Sequence, residues 1–364
     1  MSDRSMSAAP RHERSERGAP AHAPGSGAGP VACLGEALVL LPSLPPDGAA
    51  LPGVERGTLA GAEANVAVGL AGMGVPVACV TRVGTDPFGE FLHAELRRRG
   101  VDVRAVQFDP VRPTGFYAKR TITDASGEPR SEMLYRRAGS AASAMSPAFL
   151  DDPAVTDVLG RARLIHTSGI TAALSRSCAE LMHAILRRPR RFGATVCFDV
   201  NWREQLWPSG DPSLIVQLSG LADTVLVGGD EARRVFGTGD PQRIRTLLPD
   251  PEWIIIKDGA RRALAIDADG SLIDQPALQV DVVEPVGAGD AFGAGFLAGI
   301  VRGEDTGRCL RRGHVSAAAV LTVRGDSAPL PPDAVVESLL ASSPAAWRAT
   351  RVSVGGFQLP AGDA

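Results

Sequence analysis

The stretch Glu284-Pro-Val-Gly-Ala-Gly-Asp-Ala-Phe-Gly-Ala-Gly-Phe-Leu-Ala-Gly299 places one acid between a Gly-Ala-Gly turn and an apolar run. Residues 291–297 carry no charge, which predicts a buried helix. The glycines before this run allow a sharp turn and a close approach of the backbone to a ligand. Asp290, at the start of the predicted helix, is therefore either a cap of the helix or a reactive group.

The amino end of this helix has the features of an anion site. The backbone amides of Gly287, Ala288, Gly289 and Asp290 would point the same way there, and the helix dipole adds partial positive charge. Such a site suits the oxygens of a phosphoryl group during its transfer. A carboxylate beside it can accept the proton of an attacking hydroxyl. The pattern by itself leaves the cap and the catalytic base open.

Outward from this stretch, short apolar runs alternate with helical patterns through most of the chain. Runs typical of strands occupy residues 31–41, 75–83, 162–167, 195–200, 224–227 and 253–257. Helical spacing of apolar residues occupies 62–73, 88–99, 175–187, 212–221 and 230–236. This alternation predicts an α/β fold with a mainly parallel sheet covered on both faces. Sheets of this kind bind ligands at the carboxyl ends of their strands.

The alternation lapses in two segments, near 42–60 and 108–140. The first is rich in Pro and Gly, and the second alternates polar and apolar residues around a Ser126-Gly127 turn. The second pattern predicts a β-hairpin with one exposed face, and together the segments predict a small lid. We predict one domain over residues 31–345, a disordered tail at 1–30 and a C-terminal tail at 346–364.

The composition argues against several classes of partner. The chain has 364 residues, is 44% hydrophobic and 22% charged, and carries a net charge of −3, which gives no reason to expect nucleic acid or membrane partners. Its five scattered cysteines form no Cys-x-x-Cys pair, which predicts buried thiols in a reducing, cytoplasmic setting. Lys119 and Lys257 are the only lysines, which we attribute to genome composition.

Two motifs carry a resemblance to a known family. No Gly-x-x-x-x-Gly-Lys-Ser/Thr motif occurs, and Phe292 stands where a dinucleotide fingerprint needs glycine. Instead, Val286-Gly-Ala-Gly-Asp-Ala-Phe292 resembles the signature of the ribokinase-like (PfkB) family of carbohydrate kinases. Gly61-Ala-Glu-Ala-Asn65-Val-Ala67 is similar to a second family motif, with Ala60 replacing its first glycine. The resemblance extends from about residue 31 to 340. It implies a three-layer sandwich with a mainly parallel central sheet and a small β-lid.

The resemblance also implies roles for individual residues. Asp290 would be the catalytic base, beside an anion hole formed by Gly287, Ala288 and Gly289. Gly61 and Asn65 would contact the sugar. The resemblance also implies a set of residues that bind the nucleotide, namely Gly228, Glu231, Lys257, Gly259, Gly287, Gly289 and His314. Gly228-Gly-Asp-Glu231 aligns with the family's Asn-x-x-Glu, in which the acid helps to hold magnesium, although the asparagine is Gly228 here. The implied cofactors are ATP and Mg²⁺, with a monovalent cation as an optional addition.

Three further stretches are similar to the 2-keto-3-deoxygluconate kinases of this family, which phosphorylate a sugar acid. They are Leu134-Tyr-Arg-Arg-Ala-Gly-Ser-Ala-Ala-Ser-Ala144, Ile165-His-Thr-Ser-Gly-Ile-Thr-Ala-Ala-Leu-Ser175 and Phe198-Asp-Val-Asn-Trp-Arg-Glu-Gln-Leu-Trp207. The resemblance implies that Arg136 and Arg203 bind on the substrate side and that Tyr117 faces the sugar from the lid. Arginine offers a carboxylate a planar, two-pronged donor.

Two alternatives stay open. The same chemistry on a neutral sugar would make the protein a fructokinase or ribokinase. A non-catalytic sensor that binds a sugar or nucleotide would keep the fold, but the intact Asp290 and its glycines argue against it. The expected partner is thus a small sugar or sugar acid, and the resemblance adds a homodimer formed through the lid.

Overall fold

A sheet of nine strands forms the centre of the described part of this computed structural model, which comprises residues 29–42, 57–123, 129–188 and 190–360. The strands of all its sheets, in chain order, are β1 (Val31–Leu34), β2 (Leu38–Leu41), β3 (Thr58–Ala60), β4 (Val77–Gly84), β5 (Val106–Asp109), β6 (Phe116–Thr123), β7 (Pro129–Arg136), β8 (Leu164–Ser168), β9 (Thr195–Asp199), β10 (Thr224–Gly228), β11 (Trp253–Asp258), β12 (Arg262–Asp267), β13 (Leu272–Pro276), β14 (Gln279–Val280), β15 (Arg351–Ser353) and β16 (Gly356–Gln358). The central sheet has the order β13-β12-β11-β10-β9-β8-β1-β4-β5. Its strands are parallel from β5 to β11, and only the β11-β12-β13 edge is antiparallel. The prediction of a mainly parallel sheet is confirmed.

Helices cover both faces of this sheet. They are α1 (Ala62–Gly72), α2 (Pro87–Arg98), α3 (Pro153–Arg161), α4 (Gly169–Ala173), α5 (Arg176–Leu186), α6 (Ser213–Leu221), α7 (Gly229–Phe236), α8 (Pro241–Leu247), α9 (Ala288–Arg302), α10 (Thr306–Leu321), α11 (Asp333–Ala341) and α12 (Pro344–Ala349). Successive strand residues enter two separate hydrophobic clusters, because side chains alternate between the faces of a sheet. Leu34 of β1 joins residues of α3, α5 and α6, whereas Cys33 joins residues of α1, α9 and α10. The result is the predicted three-layer sandwich. None of the helices described is both long and apolar enough to cross a membrane.

A separate sheet of four strands, β3-β2-β6-β7, forms the lid. The strand predicted at 31–41 divides between the two sheets, because β1 ends at Leu34 and β2 begins at Leu38. The hairpin predicted within 108–140 is present as the antiparallel pair β6 and β7, and its turn at 124–128 lies outside the described residues. The other predicted lid segment contributes β3, while residues 43–56 lie outside the described residues.

The C-terminal boundary predicted at residue 345 is wrong. Helix α12 crosses it, and its Trp347 is only 1% exposed and donates a hydrogen bond from the indole nitrogen to the carbonyl oxygen of Pro276 at 2.8 Å. Beyond α12, β15 pairs with both β14 and β16 in a three-stranded sheet. Residues 346–360 are therefore packed against the body rather than forming a tail. The predicted N-terminal tail, apart from residues 29 and 30, lies outside the described residues.

Candidate active site

The amino end of α9 forms the floor of a cleft of about 730 Å³ at the carboxyl edge of the central sheet. Gly287 is the N-cap residue and has a φ of 77°, a left-handed conformation that favours glycine. A Cβ atom at Gly287 would also lie 2.6 Å from the carbonyl oxygen of Asp326. Asp290 lies in the first turn of α9, and no side chain of the described residues caps this helix. Of the two interpretations of Asp290, the cap is therefore wrong.

The carboxylate of Asp290 is held by α1. Asn65 donates a hydrogen bond from its Nδ2 atom to Oδ2 of Asp290 at 2.9 Å. Burial raises the pKa of Asp290 to about 7, the Asn65 hydrogen bond lowers it, the nearby charge of Asp199 raises it, and the charges of Lys257 and Arg203 lower it. A carboxyl group with a pKa near neutrality can accept or release a proton at physiological pH. The site thus holds an acid that is suited to proton transfer.

The sugar-side residues predicted on α1 and the lid meet at the same cleft. Gly61, the N-cap of α1, has a φ of 119°, and both it and Asn65 line the cleft. Tyr117 of β6 is buried, and its hydroxyl donates to Oδ2 of Asp326 at 3.3 Å. Burial and the Asp326 carboxylate raise the pKa of Tyr117 far above its usual value, so the phenol stays protonated. Tyr135 stacks on Tyr117 with ring centroids 5.3 Å apart.

The structure places Arg137 in the cleft instead of Arg136. Arg136, the last residue of β7, is exposed and is absent from the cleft lining of the described chain. Tyr135 and Arg137, which directly follows β7, both line the cleft, because residues two apart along an extended chain share a face and Arg136 points the other way. The Nε atom of Arg137 lies 3.1 Å from Oε2 of the buried Glu36, and its guanidinium stacks on the ring of Tyr135. The strand alternation could have identified Arg137, since Tyr117 pairs with Tyr135 across the hairpin.

The predicted nucleotide-side residues line the other part of the cleft, together with Ala288 of the predicted anion hole, and they are Gly228, Glu231, Lys257, Gly259, Gly287, Gly289 and His314. Glu231, at the start of α7, accepts a hydrogen bond from the Gly228 amide at 2.8 Å and pairs with Arg203 at 3.2 Å. Burial lowers the pKa of His314 to about 4, so its ring is neutral at physiological pH. Around His314 the lining becomes apolar through Leu278, Val282, Val286, Ala317 and Leu321.

This lining fits a nucleotide with its magnesium. The apolar end can hold a base, and the glycine-rich end of α9 offers amides to phosphates. Across the described ranges, no three His, Cys, Asp or Glu side chains are grouped so that they could hold a metal ion by themselves. Mg²⁺ does not need such a group, because it is commonly held by one or two carboxylates together with substrate phosphates and waters. Glu231 is a carboxylate that lines the nucleotide side of the cleft and could hold the ion.

Asp199 is a site residue that the sequence reasoning missed. It ends β9, lines the cleft, and accepts a hydrogen bond from Nζ of Lys257 at 2.8 Å. Its carboxylate and the ammonium come from strands separated by β10. The only signal in the sequence was an acid directly after the apolar run of β9, at the sheet edge where ligands bind.

Comparisons with known proteins agree with this geometry. A family model described as "pfkB family carbohydrate kinase" matches residues 31–333. A 2-dehydro-3-deoxygluconokinase of Thermoproteus tenax is 32% identical over 315 residues, which cover 85% of this chain and 94% of the relative. A 2-dehydro-3-deoxygalactonokinase of Haloferax volcanii is 32% identical over 76% of this chain and 86% of the relative. The solved structure of a fructokinase double mutant from Vibrio cholerae O395, with bound fructose, ADP and potassium ion, has a TM-score of 0.71 and 25% identity, over 86% of this chain and 99% of that one.

Proposed function

Because the chain belongs to the pfkB family of carbohydrate kinases, we propose that it transfers the γ-phosphoryl group of ATP to a hydroxyl of a sugar acid. The substrate we favour is 2-keto-3-deoxygluconate, which is the 2-dehydro-3-deoxygluconate in the name of the Thermoproteus relative. The observation that carries this choice is that Arg137 and Arg203 line the same cleft as Asp290. Two guanidinium groups near a reacting hydroxyl suit a substrate that carries a carboxylate.

In the proposed reaction, Asp290 acts as the base. The substrate hydroxyl gives its proton to the carboxylate as its oxygen forms a bond to the γ-phosphorus, and the bond from that phosphorus to the ADP oxygen breaks. The hydrogen bond from Asn65 fixes the orientation of Asp290, so the carboxylate needs little reorganisation before it accepts the proton. A pKa of about 7 leaves a large share of Asp290 ionised at physiological pH.

The amino end of α9 stabilises the phosphoryl group in this proposal. The amides of Ala288, Gly289 and Asp290 lie in the first turn of the helix, where they have no partner within it. They can therefore bind the oxygens on which negative charge gathers during transfer. Tyr117 and Tyr135 extend from the lid sheet over the sugar side and restrict the access of water, which would otherwise hydrolyse ATP.

Magnesium and a monovalent cation belong to the proposal as well. Glu231 would hold Mg²⁺ together with phosphate oxygens, and the ion would neutralise part of the phosphate charge. The potassium ion of the fructokinase structure supports testing potassium in the assay.

The experiment that tests the proposal is a coupled assay of ADP release. Purified protein is given ATP and Mg²⁺, with and without potassium, and a panel of 2-keto-3-deoxygluconate, its galactonate epimer, fructose and ribose. We expect the highest kcat/KM for one of the two acids. Preference for fructose or ribose would instead support the neutral-sugar alternative, and the absence of turnover with every member of the panel would support the sensor.

The setting of the protein is also part of the proposal. All five cysteines lie in described ranges and are buried and unpaired, which supports a reducing, cytoplasmic location. The lid exposes the edge of its sheet at β7, where Tyr135 is partly exposed, which supports pairing of two lids in a homodimer. Sedimentation at micromolar concentration should show the mass of a dimer, and a monomer at that concentration would contradict the pairing.

A further inference from the structure

Lys257 is an unusual residue for this chain. All but two of its 38 lysines and arginines are arginines, yet the cation next to Gly289 in the first turn of α9 is a lysine. The side chain of Lys257 is only 16% exposed. An ammonium is a compact charge on a flexible stem, whereas a guanidinium is a wide planar fork. The choice of lysine at a buried, crowded position therefore indicates a need for a small cation that can move.

The position of this ammonium is defined from two sides. Nζ of Lys257 is 2.8 Å from Oδ2 of Asp199, and it reaches that carboxylate across the end of β10, where Gly228 pairs with Lys257. On the other side, a Cβ atom placed on Gly289 would lie 3.8 Å from the same Nζ. The ammonium thus lies between Asp199 and the first turn of α9.

Asp199 has unused hydrogen-bonding capacity. Its side chain is 3% exposed, and its Oδ1 atom has no hydrogen-bond partner in the part of the chain that the structure describes. A buried carboxylate that lacks partners is costly unless a cation stays near it. The ion pair with Lys257 is therefore the main compensation for the charge of Asp199.

We propose that Lys257 is an exchangeable cation of the phosphoryl transfer: it pairs with Asp199 in the empty enzyme and contacts the γ-phosphoryl oxygens when ATP is bound. Asp199 is the positioning residue that holds the ammonium beside α9. The inference rests on phosphoryl transfer in the proposed function but not on the identity of the sugar. Lys257 keeps its protons throughout, since the proton of the sugar hydroxyl passes to Asp290. Its contribution is charge stabilisation of the transferring group.

Asp199 also opposes the effect of Lys257 on the pKa of Asp290. The charged groups that face Asp290 are Asp199 from β9, Lys257 from β11 and Arg203 from the loop after β9, while α1 supplies the neutral Asn65. Without the negative charge of Asp199, the two cations would act on Asp290 unopposed. The carboxylate would then be a weaker base.

The first test observes the lysine directly. Because the chain has only two lysines, full-length protein labelled with ¹⁵N at lysine Nζ gives two side-chain signals, and Lys257→Arg identifies one of them. Mg²⁺ with the imido analogue of ATP should shift the Lys257 signal, and Mg²⁺ with ADP should shift it much less. An unmoved Lys257 signal at saturating analogue, or an equal shift with ADP, would overturn the inference.

The second test is kinetic. Lys257→Met should lower kcat by roughly 10²–10³-fold, the usual effect of losing one preorganised charge-stabilising group, with a much smaller change in the KM for sugar. Lys257→Arg, which keeps the charge, should also have a kcat well below that of the wild type. Asp199→Asn should lower kcat less than Lys257→Met does. It should also move the acid limb of the plot of kcat/KM against pH to lower pH.

The matched control is Asp223→Asn, at the opposite edge of the same sheet. Asp223 precedes β10 and pairs with Arg188 and Arg190, so its loss breaks two ion pairs away from the cleft. This control should leave kcat and the acid limb unchanged. Wild-type kcat in Lys257→Met, or an unmoved acid limb in Asp199→Asn, would refute the exchange.

Two outcomes separate this inference from the proposed function. If the wild type shows no turnover with any sugar, the proposed function fails, while the nucleotide-dependent shift of Lys257 still tests the contact. If thermal melting shows that Lys257→Met does not fold, the nucleotide-dependent shift of the Lys257 signal in the wild type tests the inference instead.

Discussion

The adjacent arginines at the end of β7 allow a sharp test of the sugar-acid proposal. Arg137→Met removes the guanidinium that faces the cleft and keeps a long side chain to cover Tyr135. Arg136→Met removes the exposed neighbour, which is one residue away and points to the other face of the strand. The two variants have the same composition and differ only in which face loses its charge.

The expected magnitude follows from the geometry of Arg137. Its Nε edge faces Glu36, so the two terminal nitrogens are left for a substrate carboxylate. A hydrogen bond to a charged group is worth about 1.5–3 kcal/mol, and each ~1.4 kcal/mol changes a rate constant tenfold. Arg137→Met should therefore lower kcat/KM for 2-keto-3-deoxygluconate by roughly ten- to 150-fold. The loss should be much smaller for fructose, which has no carboxylate.

A stability effect has to be separated from this loss. Removing Arg137 leaves Glu36 buried without its cation, and breaking a buried ion pair costs about 3–5 kcal/mol unless the remaining acid becomes neutral. The pKa of Glu36 is already raised by burial and lowered by Arg137, so the variant should protonate it. The double variant Glu36→Gln/Arg137→Met should recover stability without recovering activity on the acid.

The assay is kcat/KM for the acid and for fructose in the wild type, Arg136→Met, Arg137→Met and the double variant, with thermal melting of each. Equal losses on both substrates in Arg137→Met, or a greater selective loss in Arg136→Met, would refute the assignment of Arg137. A double variant that regained activity on the acid would show that the first loss came from the unpaired Glu36.

Three further predictions concern the base, a buried acid and the C-terminal segment. Asp290→Asn should lower kcat by roughly 10²–10⁴-fold with the fold intact. Wild-type kcat/KM should fall as pH drops through about 7, because protonated Asp290 cannot accept a proton. Near-wild-type turnover in Asp290→Asn would contradict the role of Asp290 as the base. Burial raises the pKa of Glu63 to about 7, so its stabilising contribution is full below its usual pKa of 4.5 and is lost as pH rises through 7. Glu63→Gln can still accept hydrogen bonds from Ser168 and Thr171, and it should weaken the dependence of the melting temperature on pH between pH 5 and 8. A dependence equal to that of the wild type would contradict this. Trp347→Ala should reduce the free energy of unfolding by about 3–5 kcal/mol in urea titration, whereas a loss under about 1 kcal/mol would restore the tail interpretation.

The central sheet could be predicted because its strands are buried on both faces. Such strands appear in the sequence as continuous apolar runs, as in Trp253-Ile-Ile-Ile256 of β11, and they are separated by helical patterns. The C-terminal sheet had no such signal, because β14, β15 and β16 have two or three residues each. The pairing of β14 with β15 joins residues about 70 positions apart and accompanies the burial of Trp347, which local propensity does not contain.

The candidate site shows the same division. Residues within one motif, such as Gly287 and Asp290, were placed together by their spacing and lie together in the cleft. Arg137 was missed because a shift of one residue exchanges the faces of a strand, and the motif Tyr-Arg-Arg does not state which arginine faces inwards. Asp199 was missed because its partner is 58 residues away, and the two meet only through the strand order of the sheet.

The charges around Asp290 suggest why the cleft holds both Asp199 and Lys257. A lone ammonium beside the anion hole would favour phosphate binding, but it would also lower the pKa of the base and weaken its attraction for the hydroxyl proton. A lone Asp199 would raise that pKa and repel the phosphates. With both present, their charges act on Asp290 in opposite directions, and burial raises its pKa to about 7. When ATP arrives, its own negative charge can take over the role of Asp199 towards the lysine, and it disfavours ionised Asp290 further. Phosphate binding would thereby strengthen the base just when the sugar hydroxyl has to lose its proton.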